Sequence, residues 1–438
     1  MLSYDIRYSR YLELLKAELA PAMGCTEPVA VAYAAAKARE ILEKIPDRAL
    51  VEVSGNIIKN VKSVTVPNTG GLKGLKAATA AGIVAGRADK KLEVIAEVSD
   101  EQRREMAAFL KNVPIELRMT DTERVLDISI TVYAGSESAR VHIADDHTNI
   151  IFIEKDGAVV FAAEDENIPR VAESSAVSSA VSSGEDSGQT MLDVEAIIDF
   201  ANTVKLDDVK GLIKRQIEYN SAISAEGLRG DYGANIGKVL KTNYGDDIKT
   251  RAKAAAAAGS DARMSGCSLP VIILSGSGNQ GITASMPVIE YAAWLKKSEE
   301  ELIRALVLSD LITLHLKSGI GRLSAYCGVV CAGAAAGAGI AYLQGGRMEE
   351  ISHTLVNALA ITSGIVCDGA KPSCAAKIAA AVDAGILGYE MYKNGQQFYG
   401  GDGIIAHGVE NTIKNIYRLG KEGMRKTDKE IIQIMLDT

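Results

Sequence analysis

The chain has 438 residues, with 48 Lys and Arg against 56 Asp and Glu, a formal net charge of −8 and 47% hydrophobic residues. That length exceeds one ordinary core and points to two or three domains. An acidic balance without any Lys/Arg-rich tract argues against nucleic acid as a partner. Six cysteines at irregular spacing do not make a disulfide framework, so a reducing cytoplasm is the expected compartment.

Residues 5–20 (DIRYSRYLELLKAELA) and 28–45 (PVAVAYAAAKAREILEKI) repeat apolar positions at helical spacing. The first stretch is charged throughout and lacks the apolar core of a secretory signal. Between them, PAMGCTEP carries a helix start, with Thr26 as the expected N-cap and Glu27 and Pro28 in the first turn. Cys25 then stands just ahead of a helix N-terminus, where backbone N–H groups and the dipole favour a thiolate. A small residue in a tight Gly-Cys turn is the plainer alternative.

From 49 to 163 the period changes to two. ALVEVSGN, KLEVIAEV, VLDISITVYA, SARVHIAD and NIIFIEKDGAVVFA read as strands, with Asp156-Gly157 at a hairpin turn. LKAATAAGIVAG and DEQRREMAAFLK read as helices among them. VPNTGGLKG (66–74) is a glycine-rich turn before a helix, suited equally to an anion and to a tight connection. Residues 164–190 hold seven serines between 174 and 187 and read as a linker.

From 191 to 438 the pattern is helical, with repeated Ala and Gly that let helices approach closely. The seventeen uncharged residues CGVVCAGAAAGAGIAYL are short for a membrane span and too rich in Ala and Gly, so no membrane association is expected. Two glycine-bearing segments interrupt the helices. GLRGDYGANIGK (227–238) has no assignable chemistry, whereas SGSGNQG (275–281) can form a concave row of N–H donors, or a plain turn. The five histidines are scattered and show no metal-helix spacing. The fold class is therefore an α+β lobe joined to a mostly α-helical catalytic domain.

Four of the six cysteines, Cys327, Cys331, Cys367 and Cys374, lie between Ser324 and Ala376. Thiolates select soft metals or iron–sulfur clusters, and the spacing is not that of a zinc ribbon. Cys367 and Cys374 flank D-G-A-K-P-S, a loop with a thiol at each end. CAAKIAAAVDAGIL then starts a helix, with Lys371 and Lys377 near Cys374. Buried cysteines acting only as small hydrophobes are the alternative.

PAMGCTEP, PNTGG, SGSGNQG and the late cysteines, in that order, resemble the L-cysteine desulfidase family, a relative of the α-chain of iron–sulfur L-serine dehydratases. The resemblance runs over nearly the whole chain. It implies a [4Fe–4S] cluster held by Cys327, Cys367 and Cys374, with Cys25 as the proton-abstracting base and Cys267 and Cys331 outside the pattern. It implies a lyase that eliminates sulfide from L-cysteine, giving pyruvate and ammonia. Asn68, Thr69 and Gly70, with Ser277, Asn279 and Gln280, are candidates for holding the substrate's charged ends. The implied domain plan is 1–45 packed on the helical domain so that Cys25 meets the cluster, 46–163 as the α+β domain, 164–190 as linker and 191–438 as the catalytic domain. A homodimer is expected. Three other readings stand beside this one. Serine or another β-substituted amino acid would suit the same cluster. A non-catalytic iron–sulfur sensor would need an output surface. A pyridoxal-phosphate lyase would need a Schiff-base lysine, for which Lys253 is the nearest and poor candidate.

Overall fold

In a computed structural model of the protein the described residues are 1–2, 4–163 and 192–437, so the serine-rich 164–190 segment lies outside them. The described residues divide into a sheet unit (23–163, 266–268 and 432–437) and a helical unit (1–22, 192–265 and 269–431). A mixed α/β part and a mostly helical part are thus both present, as the periodicities require.

The chain opens with α1 (Ile6–Glu18) and β1 (Pro21–Met23). The sheet unit follows with α2 (Thr26–Leu42), β2 (Arg48–Val53), α3 (Gly55–Val61), α4 (Gly74–Ala85) and α5 (Asp100–Asn112). It continues through β3 (Ile115–Met119), β4 (Asp127–Ala134), β5 (Glu137–Ala144), β6 (Ile150–Lys155) and β7 (Ala158–Ala162). The strand order is β3-β2-β4-β5-β6-β7, with β2 and β3 parallel and the other pairs antiparallel. Alternate residues Ile128, Ile130 and Val132 of β4 and Ala139, Val141 and Ile143 of β5 are buried, the two-residue period of a sheet with one face on a core. Asp156 (φ 50°) and Gly157 (φ 78°) make the hairpin turn expected of Asp-Gly.

One expectation is corrected here. KLEVIAEV is not a strand. It forms the end of a short 3-10 turn and an irregular segment, because Lys91 at φ 48° breaks extension. The second neighbour of β2 is instead β3, whose side chains after Ile115 are mostly exposed and give little pattern to read. In this division α1 belongs to the helical unit and α2 to the sheet unit. Close packing is the reason. A Cβ on Gly82 of α4 would stand 2.1 Å from the Ala32 carbonyl oxygen of α2, so the two small-residue faces hold the helices together.

The helical unit comprises α6 (Val194–Thr203), α7 (Leu206–Arg229), α8 (Ile236–Tyr244), α9 (Ile248–Met264) and β8 (Pro270–Ile272), which pairs with β1. Next come α10 (Gly278–Trp294), α11 (Glu299–Ser318), α12 (Gly328–Leu343), α13 (Met348–Thr362), α14 (Ser373–Lys393) and α15 (Val409–Arg418). The last helix, α16 (Arg425–Leu436), runs across the division between the units. α10 and α11 are separate helices, because Lys296 turns at φ 55° and Ser298 with Glu301 forms a capping box that starts α11. The uncharged stretch from Cys327 is the buried helix α12. It crosses α14 at backbone distance, since a Cβ on Gly337 would lie 2.5 Å from the Gly385 carbonyl oxygen. Among the described residues no helix is long and apolar enough to cross a membrane.

Candidate active site

The loops before α12 and α14 are tied by a two-stranded bridge, Tyr326 opposite Val366. Cys327 N–H donates to the Ile365 carbonyl (3.1 Å) and Cys367 N–H to the Ala325 carbonyl (2.6 Å). Cys327 is the N-cap of α12, and Cys374 is the second residue of α14, whose N-cap is Pro372. This framework sets three cysteine side chains near one another. The Cys327 and Cys367 side chains are hydrogen-bonded to each other, and Cys374 lies within electrostatic reach of both. The Cys367 thiol at hydrogen-bond distance, together with burial, holds the Cys327 thiol well above its ordinary pKa. Burial likewise raises Cys374.

Cys331, one helical turn further along α12, points away from this group. Its thiol donates to the Leu316 carbonyl (3.6 Å), and burial pushes its pKa up to about 12. Cys267 falls in the 266–268 segment of the sheet unit. The two lysines flanking Cys374 converge on one carboxylate. Lys371 pairs with Asp368 at 2.6 Å, and Lys377 pairs with the same oxygen while donating to the Val366 carbonyl (2.8 Å). Burial opposes ionisation of Asp368, but the two lysines outweigh it and its carboxyl titrates below the ordinary range. They therefore brace the D-G-A-K-P-S loop. GLRGDYGANIGK forms the turn between α7 and α8, and a Cβ on its Gly233 would lie 3.5 Å from the Pro372 ring.

SGSGNQG folds into a tight turn feeding α10. Leu274 and Ser277 exchange backbone hydrogen bonds (3.1 and 3.0 Å), Ser275 and Gly276 have φ of 48° and 71°, and Ser277 is the N-cap. Asn279 accepts from Arg263 Nη1 (3.1 Å), and Gln280 Nε2 faces the Ser275 carbonyl at 3.5 Å. The Gln280 amide also lies against the start of α12, because a Cβ on Gly328 would stand 2.6 Å from Gln280 Cδ. The glycine-rich turn therefore adjoins the residue that follows Cys327.

In the sheet unit, the N-cap of α2 is Cys25 and not Thr26, the first helical residue. Cys25 is 3% exposed, and its thiol faces Glu27 Oε2 at 3.6 Å. The other oxygen of Glu27 is 3.9 Å from His147 Nε2 on the loop between β5 and β6, a buried nitrogen that makes no hydrogen bond. Glu27 thus stands between a thiol and an imidazole. Sequence reading treated Glu27 only as a first-turn acid and singled out nothing at His147, which is 120 residues away in the chain and carries no local motif. The turn at 68–70 uses its side chains on itself. Asn68 (φ 59°) donates to the Ile95 (2.9 Å) and Ala96 (3.2 Å) carbonyls, and the Thr69 hydroxyl donates to the Val66 carbonyl (2.7 Å). What it leaves open is the Gly70-Gly71 backbone, with no atom within 4 Å of either Cβ position.

The donor chemistry at the trio, three thiols near two helix N-termini, fits an iron–sulfur cluster. Among the described residues no three His, Cys, Asp or Glu side chains converge as a ready-made cage for a metal ion. A cluster gives each thiolate an iron of its own and so asks less convergence than a single ion does.

Residues 89–433 match the family of the serine dehydratase alpha chain. A UPF0597 protein of Desulfitobacterium hafniense is 61% identical over 433 residues, covering 99% of this chain and 98% of the relative. UPF0597 proteins of Lachnoclostridium phytofermentans (50% identical, 98% and 100% covered) and Treponema denticola (47%, 98% and 98%) are similarly related. The family match contains Cys327, Cys367, Cys374 and SGSGNQG and begins after Cys25 and Asn68. The chain belongs to the serine dehydratase alpha chain family.

Proposed function

We propose that the protein is an iron–sulfur lyase that removes the β-substituent of a small amino acid, with L-cysteine as substrate and pyruvate, ammonia and sulfide as products. The observation that carries this reading is the meeting of the Cys327, Cys367 and Cys374 thiols beside the Gln280 end of a glycine-rich turn. Those three cysteines would hold a [4Fe–4S] cluster. A cluster with three protein thiolates supplies Lewis acidity at the iron the protein does not ligate.

The chain's own residues do the rest. Glu27 Oε2 faces the Cys25 sulfur and accepts the thiol proton, leaving a thiolate at the N-terminus of α2. That thiolate takes the substrate α-proton. The Cα–H electron pair becomes the Cα=Cβ bond as the Cβ–S bond breaks, and the sulfur leaves with its bonding pair. The aminoacrylate so formed takes a proton at Cβ to give the imine, and water hydrolyses that to pyruvate and ammonia. Ser277, Asn279 and Gln280 are proposed to hold the charged ends of the substrate.

L-serine is the second reading, favoured by the family matched over 89–433. Anaerobically prepared protein, analysed for iron and sulfide and supplied in turn with L-cysteine and L-serine, separates these possibilities. We expect iron, broad visible absorption and faster release of pyruvate from L-cysteine. Iron-free protein that still eliminates sulfide would sink the cluster reading. A preference for serine would move only the substrate.

A further inference from the structure

Arg263, near the end of α9, is one of the largest fully buried side chains in the protein, 2% exposed. A guanidinium is charged at every physiological pH, and burying it without an opposite charge is strongly unfavourable. Yet no carboxylate among the described residues pairs with it. Among the described residues its one side-chain hydrogen-bond partner is neutral Asn279, and its Nε makes no hydrogen bond. The group lies against Gly278, the first residue of α10, where a Cβ would stand 2.3 Å from Nε and 2.8 Å from Cζ. α10 has 17 residues, so the guanidinium sits at the positive end of a full-length helix. Two positive features are thus buried together, and the first turn of α10 adds N–H groups that have no partner within the helix. Gln280 Oε1 is also buried and without a hydrogen bond, able to accept from an ammonium group, and its side chain adjoins Gly328 beside Cys327.

We infer that Arg263 and the first turn of α10 bind a carboxylate, namely the α-carboxylate of the amino-acid substrate. The assignment rests on the lyase reading above. The missing negative charge is supplied by the substrate, and the guanidinium fork matches a carboxylate bidentately. Ser277 is half-buried, whereas Gly278, Asn279 and Gln280 behind it are buried.

The test uses iron-loaded protein and two unreactive probes, L-alanine and L-alaninamide, which differ in the carboxylate alone. Calorimetry should show wild type binding L-alanine and discriminating strongly against the amide. Arg263→Met should lose roughly tenfold to a hundredfold in L-alanine affinity, the worth of a hydrogen-bonded charge, with the amide little changed. Arg263→Lys, which keeps the charge but not the fork, should fall between. In turnover, the kcat/KM ratio of L-cysteine to L-cysteinamide should collapse in Arg263→Met. Equal L-alanine affinity in wild type and Arg263→Met, or an equal loss for both probes, overturns the inference. So does a wild type that binds neither probe. A wild type that discriminates through Arg263 but releases no sulfide leaves this site standing and removes the lyase reading instead.

Discussion

The two cysteine regions of the protein are built in opposite ways. The trio of Cys327, Cys367 and Cys374 is held by backbone, through a short bridge between 325–327 and 365–367 and the starts of α12 and α14. Every part of it comes from about fifty consecutive residues. Cys25 is placed by one helix start, but its surroundings depend on side chains, Glu27 two residues on and His147 from a distant sheet loop. Backbone-held thiols keep their arrangement when one is removed. A side-chain relay loses function by degrees as its members change.

That contrast is testable, beginning with the largest effect. Cys327→Ser, Cys367→Ser and Cys374→Ser should each abolish iron retention and activity together, read by iron analysis and visible absorption. Cys331→Ser should keep its iron, since its thiol faces the Leu316 carbonyl instead. If Cys331 proves essential and Cys327 dispensable, the assignment of the trio is wrong.

Cys25→Ala should leave iron and absorption unchanged while turnover falls by roughly 10²–10⁴-fold, the worth of a positioned general base. Exchange of the substrate α-proton with solvent deuterium should vanish in the same variant. Normal exchange would remove Cys25 as the base, and loss of iron would make it a ligand.

A smaller effect is expected one step out. Glu27→Gln should lower kcat by about 10- to 100-fold, the range for one hydrogen bond to a charged group, with KM nearly constant. His147→Gln should do less, since it reaches the thiol only through Glu27. A His147 variant more impaired than Cys25→Ala would reverse the order of that relay.

The smallest effect concerns burial away from both cysteine regions. Asp310 of α11 is fully buried with Gln216 as its partner, and burial raises the pKa of its carboxyl to about 7 from an ordinary 3.8. The folded state therefore binds a proton that the unfolded chain has released across that interval. Stability should fall as pH rises from about 4 to about 7 and level off above it. Asp310→Asn should flatten that slope in a series of melting temperatures, with iron content unaffected. An unchanged slope would place the titration elsewhere.

Much of this was legible in the chain. The hairpin at Asp156-Gly157, the Ala/Gly helices and the helix start at PAMGCTEP follow from local chemistry, because turn geometry, periodicity and capping act over a few residues. The shift of the N-cap from Thr26 to Cys25 is a one-residue matter of the same kind. The tertiary structure alone decided that β3 would flank β2, and that α2 would join the sheet unit. It alone brought His147 to Glu27 and left Arg263 buried with no carboxylate partner among the described residues. Strand pairing and burial are settled by partners far away in sequence, and a charge reveals its purpose only when its neighbours are known.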